Sequence, residues 1–136
     1  MMAEKNTLLI VDDDASNLME LTHIFRADYK VYVVKDGKSA MEKAEESIPD
    51  LILLDVIMPE MSGFDVIREL RKSETTKNIP VIFITGMNEV ENESEGLDLG
   101  AVDYVRKPFN AKAIKIRVQN QIENIKIRRE LEKLRK

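Results

Sequence analysis

The chain has no cysteine among its 136 residues. A disulfide framework, a thiolate metal site and cysteine nucleophile chemistry are thereby excluded, and the absence suits a reducing cytoplasm, where we place the protein. Also missing is any apolar run approaching the roughly 20 residues that cross a bilayer. The amino terminus does not read as a signal peptide, because Glu4, Lys5 and Asn6 precede only four apolar residues before Asp12. No membrane partner is therefore expected. No repeat, low-complexity tract or linker interrupts residues 1–110. The one histidine, His23, has no partner group in sight and reads as an ordinary helix residue.

What is present describes a folded domain. Hydrophobic residues make up 43% and charged residues 34%, a balance that favours a packed core over disorder. The length predicts one domain with a single core. The net charge of −4 hides an asymmetry. Residues 111–136 carry nine Lys/Arg against three Glu, whereas the rest carries twelve Lys/Arg against twenty-two Asp/Glu. An acidic body with a basic tail argues against direct nucleic-acid binding, and it gives the tail a separate task.

Short apolar runs alternate with longer amphipathic stretches. Thr7–Val11, Val31–Val34, Asp50–Leu54, Val81–Ile84 and Val102–Val105 read as strands. Ala15–Ala27, Lys38–Ser47, Gly63–Arg71 and roughly Glu89–Leu97 read as helices, and a long last helix starts near Ala111 after the break at Pro108. Leu8–Val11 and Leu51–Leu54 are apolar at every position, as strands covered on both faces must be. The predicted fold is α/β: a doubly wound, five-stranded parallel sheet in the flavodoxin-like order 2-1-3-4-5, with five helices, the last one extended.

In such a sheet ligands bind beyond the carboxyl ends of the strands. Reactive residue types cluster there: Asp12, Asp13 and Asp14 after the first strand, Asp55 after the third, Thr85 and Gly86 after the fourth, Lys107 and Pro108 after the fifth. With strands 1 and 3 adjacent, Asp12, Asp13 and Asp55 should converge. Two unit charges 4 Å apart repel by about 4 kcal/mol at an effective dielectric of 20, so three acids need a counter-charge or a proton. An all-oxygen set with few carboxylates suits Mg²⁺, and no His or Cys here suggests zinc. A carboxylate at Asp55 can attack phosphorus to give an aspartyl phosphate. Thr85 offers a hydroxyl, Gly86 lets the backbone approach an oxyanion, and Lys107 is a point cation for a phosphoryl oxygen. Pro108 is a candidate cis proline. Singly, each has a plainer reading: a solvated turn with Asp14 as helix cap, an acid in a loop, a polar strand end, a surface lysine. Only the combination points to one chemistry.

Val11-Asp12-Asp13, Asp55 with Met58-Pro59 and Gly63, Thr85-Gly86, and Tyr104-Val105-Arg106-Lys107-Pro108 together resemble the receiver domain of bacterial response regulators, over about residues 6–122. The resemblance implies that Asp55 takes a phosphoryl group from a phosphohistidine of a sensor histidine kinase or phosphotransfer protein. It implies that Asp13 and Asp55 ligate Mg²⁺ through side chains and Ile57 through its carbonyl, and that Asp12 acts through metal-bound water. Lys107 and Thr85 would hold the phosphoryl oxygens, and Thr85 with Tyr104 would form the switch that alters the face of the fourth helix, fifth strand and last helix. Such a domain catalyses its own modification and slow dephosphorylation and is not a turnover enzyme. Ile57 and Met87, two residues after Asp55 and Thr85, are apolar and offer nothing to orient an attacking water, so a long-lived phosphoryl group is expected.

The last helix has two apolar faces. Ile114, Val118, Ile122 and Ile125 form the stripe expected on the sheet, and Ile116, Ile127, Leu131 and Leu134 lie roughly opposite. We divide the chain into a receiver domain, 1–122, and a helical extension, 123–136, that pairs with a second copy or leads into an output domain. A frayed charged tail is the plainer alternative. The basic helical ending also resembles the connector of regulators that carry cyclic-dinucleotide enzymes.

Three other readings compete. A flavodoxin-like cofactor binder would need a phosphate-cradling loop where three aspartates stand. A haloacid-dehalogenase-type phosphatase would need an acid at Ile57. A receiver fold that binds partners without being phosphorylated would leave the assembled site without a use.

Overall fold

The structure, a computed structural model, describes residues 5–86 and 96–135. Five strands form one parallel sheet: β1 (Thr7–Val11), β2 (Lys30–Val34), β3 (Leu51–Asp55), β4 (Val81–Thr85) and β5 (Asp103–Arg106). Their order is β2-β1-β3-β4-β5, and every adjacent pair is parallel. The described helices are α1 (Ala15–Phe25), α2 (Gly37–Ser47), α3 (Gly63–Lys72) and the terminal helix (Ala111–Leu134). Most of the helix expected over Glu89–Leu97 lies outside the described residues, as does Met87.

The alternation of side chains along each strand builds two cores. Leu9, Val11, Ile52, Leu54, Val81 and Phe83 face α2 and α3 with Ala40, Ala44, Phe64 and Ile67. Leu8, Ile10, Leu51, Leu53, Ile82 and Ile84 face α1 and the terminal helix with Leu21, Phe25, Ile114 and Val118. Every residue of β3 and β4 is buried, which is why those segments show no polar alternation.

Strand boundaries shift slightly from the sequence reading. Asp50 precedes β3 and Val102 precedes β5, whereas Asp55 and Thr85 are the last residues of β3 and β4 rather than the first beyond them. Asp50 still donates its N–H to the Thr7 carbonyl at 2.9 Å, and its carboxylate accepts the Thr7 N–H at 2.8 Å and the Asn6 amide at 3.3 Å. Helix α1 closes at Phe25, two residues early.

The four described helices each start on a side-chain cap: Asp14, Asp36, Ser62 and Asn110. Caps satisfy amide N–H groups that the first helical turn leaves unpaired. Each of the four caps follows the carboxyl end of a strand, so they also fix where the loops of that rim end.

The terminal helix buries Ile114, Val118, Ile122 and Ile125. Arg117 Nη1 lies 2.8 Å from both carboxylate oxygens of Asp103, joining the helix to β5. Lower down, Arg129 Nη2 reaches Asp50 Oδ1 at 3.0 Å. Ile127, Leu131 and Leu134 are 54%, 51% and 80% exposed, and Ile116 is 47% exposed, so the second apolar face is uncovered in the single chain. No described helix is long and apolar enough to cross a membrane.

Candidate functional site

Strand β1 ends at Val11, and the next residue, Asp12, donates its N–H to the Val34 carbonyl at 3.2 Å. That bond holds the chain against β2 for one more residue and points it over the rim. Asp14 then turns it into α1: its Oδ1 accepts the Ser16 N–H at 2.8 Å and the Ser16 hydroxyl at 2.6 Å. Led by the Ser16 hydroxyl, these bonds hold the Asp14 carboxyl below its ordinary range. Asp14 is thus the cap that the sequence suggested, and Asp12 and Asp13 stand between it and the end of β1.

On β3, Asp55 pairs in register with Ile84, and the Val56 N–H donates to the Ile84 carbonyl at 3.1 Å. The loop returns to this point, where the Gly63 N–H donates to the Val56 carbonyl at 2.8 Å. A methyl group on Gly63 would collide with the Asp55 carbonyl oxygen. Glycine is needed there because α3 starts in contact with the backbone that carries the candidate acid.

The sheet brings Asp12, Asp13 and Asp55 together, with one carboxylate oxygen from each within 4.8 Å of the others. Asp12 is fully buried and Asp55 is 4% exposed, while Asp13 is exposed to solvent. Lys107 Nζ sits 3.4 Å from Asp12 Oδ2 and 3.4 Å from Asp55 Oδ1. Its backbone N–H donates to the Thr85 carbonyl at 2.7 Å, which fastens the loop after β5 to the end of β4. The Lys107–Pro108 peptide is cis.

One cation against three acids does not balance. Burial, then the Asp12 charge, pushes the Asp55 carboxyl up to about 7, although Lys107 pulls the other way. Burial opposes the charge on Lys107, but Asp55 and Asp12 outweigh it and hold the ammonium above its ordinary range. The cluster is therefore short of positive charge, and its oxygen-only donor set with one exposed member fits a hard divalent cation.

Thr85, 2% exposed, follows Ile84, the register partner of Asp55. Its hydroxyl bonds to none of the three carboxylates. It continues the Val81–Phe83 row, and Tyr104, the register partner of Phe83, packs half-buried against the same core. Thr85 and Tyr104 thus share one face of the sheet near its rim. Ile57 is 60% exposed on the loop after β3.

One contributor escaped the sequence reading. The Asn17 amide donates to Asp12 Oδ2 at 3.2 Å. Its signal was its place: with Asp14 as cap, Asn17 is the third helical residue, a position whose side chain reaches back towards the helix start.

A family model described as the response regulator receiver domain matches residues 8–119. The chain is 42% identical over 118 residues to a protein of Vibrio cholerae named a probable cyclic di-GMP phosphodiesterase, covering 87% of this chain and 27% of that protein. It thus spans about a quarter of that relative's length. Among solved structures it is similar to the chemotaxis protein CheY4 of Vibrio cholerae, at 32% identity and a TM-score of 0.80, covering 85% of this chain and 98% of that one. It is also similar to the receiver domain of a sensor histidine kinase from Pseudomonas aeruginosa, solved with a magnesium ion in its active site cleft. The identity there is 29% and the TM-score 0.80, covering 88% of this chain and 98% of that one.

Proposed function

The chain belongs to the response regulator receiver domain family, and from that membership we propose that Asp55 is its phosphoacceptor, charged in the presence of Mg²⁺ by a phosphohistidine of a sensor histidine kinase or phosphotransfer protein. The observation that carries the proposal is the position of Lys107, 3.4 Å from oxygens of both Asp12 and Asp55. A lysine shared between two acids can move to a third anion without leaving the site.

Asp13 and Asp55 would hold the ion through their carboxylates and Ile57 through its carbonyl, with Asp12 acting through bound water. When bound, Mg²⁺ supplies charge neutralisation for oxygens that would otherwise repel one another. An Asp55 oxygen attacks phosphorus, the phosphorus–nitrogen bond to the imidazole breaks, and the imidazole departs with the bonding pair and takes up a proton. Lys107 follows the transferred oxygens, and Thr85 donates its hydroxyl to another. The chain contributes positioning and charge more than acid–base chemistry.

The product adds charge and strong acceptors at the rim. Thr85 is drawn towards them, and Tyr104, on the same face, turns into the space it leaves. Strand β5 and the terminal helix, joined by Arg117 and Asp103, then present a changed surface to a partner. The exposed Ile57 offers no polar group to orient water, which supports a long-lived phosphoryl group and a switch rather than a turnover enzyme. We place the receiver at 1–122 and the extension at 123–136 in the cytoplasm, with no nucleic acid bound directly by this chain. The open stripe Ile116, Ile127, Leu131 and Leu134 is the face for pairing with a second copy. The phosphodiesterase name of one relative favours a cyclic-dinucleotide enzyme as the output.

Incubation with acetyl phosphate and Mg²⁺ tests the central proposal by intact mass. The wild-type chain should gain one phosphoryl group and Asp55→Asn none. A wild type left unmodified, or equal labelling of the variant, would refute it.

A further inference from the structure

Asp12 is the one fully buried carboxylate of the cluster, and each of its oxygens has a donor of its own. Oδ1 accepts the Asp14 N–H at 2.9 Å. Oδ2 accepts the Asn17 side-chain amide at 3.2 Å and faces Lys107 Nζ at 3.4 Å. A buried carboxylate is costly unless its lone pairs are met. Lys107 is a shared partner, because the same ammonium stands 3.4 Å from Asp55 Oδ1. If it moves to a phosphoryl oxygen, Oδ2 keeps only what Asn17 provides.

Asn17 is built to stay. The Asp14 cap fixes the first turn of α1 and accepts the Asn17 N–H at 3.4 Å. The side chain is half-buried and lines a cleft of about 300 Å³ with Glu20, Lys107, Pro108 and Phe109. Glu20 lines the same cleft from α1 but makes no bond to Asp12. The amide is thus the fixed donor to Oδ2, and the lysine is the exchangeable one.

We propose that Asn17 is a positioning residue for the phosphoryl-transfer site: its amide holds Asp12 in one orientation whether Lys107 is paired with the carboxylates or withdrawn to a phosphoryl group. The inference rests on reading the carboxylate cluster as a Mg²⁺ site. Of the three carboxylates of the cluster Asn17 bonds to Asp12, and it would act through that residue. Partners of this kind, bonded to groups around a metal, change affinity or activity by about 10–100-fold when removed.

The test uses the 136-residue chain and Mg²⁺ alone, titrated calorimetrically without phosphodonor into wild type, Asn17→Ala, Asn17→Gln and Glu20→Ala. Alanine keeps the helix. Asn17→Ala should bind Mg²⁺ at least about tenfold more weakly, Asn17→Gln should recover part of the loss, and Glu20→Ala should match wild type. In acetyl phosphate assays, Asn17→Ala should need proportionately more Mg²⁺ for half-maximal rate, with a smaller change at saturation. Wild-type affinity in Asn17→Ala, or an equal loss in Glu20→Ala, overturns the inference. Failure of the wild type to bind Mg²⁺ would instead overturn the site reading beneath it.

Discussion

Asp55 stands where three negative charges meet one positive, and its proton equilibrium registers the imbalance. Its carboxyl is pushed up to about 7 in the fold and titrates near its ordinary value, about 3.9, in the unfolded chain. Between those values the folded state keeps a proton that the unfolded state has lost, so the metal-free protein loses stability as pH rises from about 4 to about 7. Asp55→Asn removes that loss. Thermal unfolding should show the variant more stable at pH 8 by at least about 1 kcal/mol, since each pKa unit corresponds to about 1.4 kcal/mol. The gap should close below about pH 4 and narrow with added Mg²⁺, which stabilises the state that binds it. Lys107→Ala should slow labelling by acetyl phosphate on the order of 100-fold, the typical effect of removing one charge-stabilising donor; an unchanged rate would remove Lys107 from the mechanism. At this scale the sequence was informative where a residue's place at a strand end sufficed, as for Asp12, Asp55 and Lys107. It was silent on Asn17, whose contact depends on the rotation of α1 about its cap.

The elements owe their limits to neighbours as much as to their own residues. Ser62 and Asp65 exchange side-chain-to-backbone bonds at the start of α3, so Ser62→Ala should cost about 1 kcal/mol in denaturant unfolding. Gly63→Ala should do something different. Because the new methyl would meet the Asp55 carbonyl, labelling of Asp55 should fall further than the loss of stability explains. At the other end of α2, Ile48 closes the helix at a φ of +42°. A β-branched residue is strained there, and Ile48→Gly should gain roughly 0.5–1 kcal/mol once the entropy cost of glycine is set against the relieved strain. Of the caps, Asp14 was readable, because an aspartate between a strand end and an amphipathic run has a ready role there, whereas Asp36, Ser62 and Asn110 came from the structure. Strand ends were less readable. Asp55 and Thr85 are polar, yet the ladder to their neighbours continues through them, and at Asp50 it is the carboxylate that takes the Thr7 N–H.

Across the whole molecule, the terminal helix joins the packed body to an unused surface. Its two faces were visible in the sequence as two phases of one periodicity, but its attachment by Arg129 was not, since a surface arginine gives no sign of a partner 79 residues away. Two truncations separate the roles. Ending the chain after Glu130 removes Leu131 and Leu134 and keeps buried Ile125 and the Arg129–Asp50 pair, so self-association in sedimentation equilibrium should weaken while the unfolding temperature holds. Ending it after Ile122 should also lower stability, because the side chain at Ile125 contributes about 1.5–3 kcal/mol through burial. Unchanged sedimentation in both would remove the pairing surface. Strand β3 connects these matters. Asp50, which receives Arg129, and Asp55, the proposed phosphoacceptor, bracket a run of about 16 Å at 3.3 Å per residue, hydrogen-bonded on both sides and buried throughout. So short and tightly held a strut has no slack, and a tug on its reactive tip must either be absorbed there or arrive undiminished at the foot of the helix.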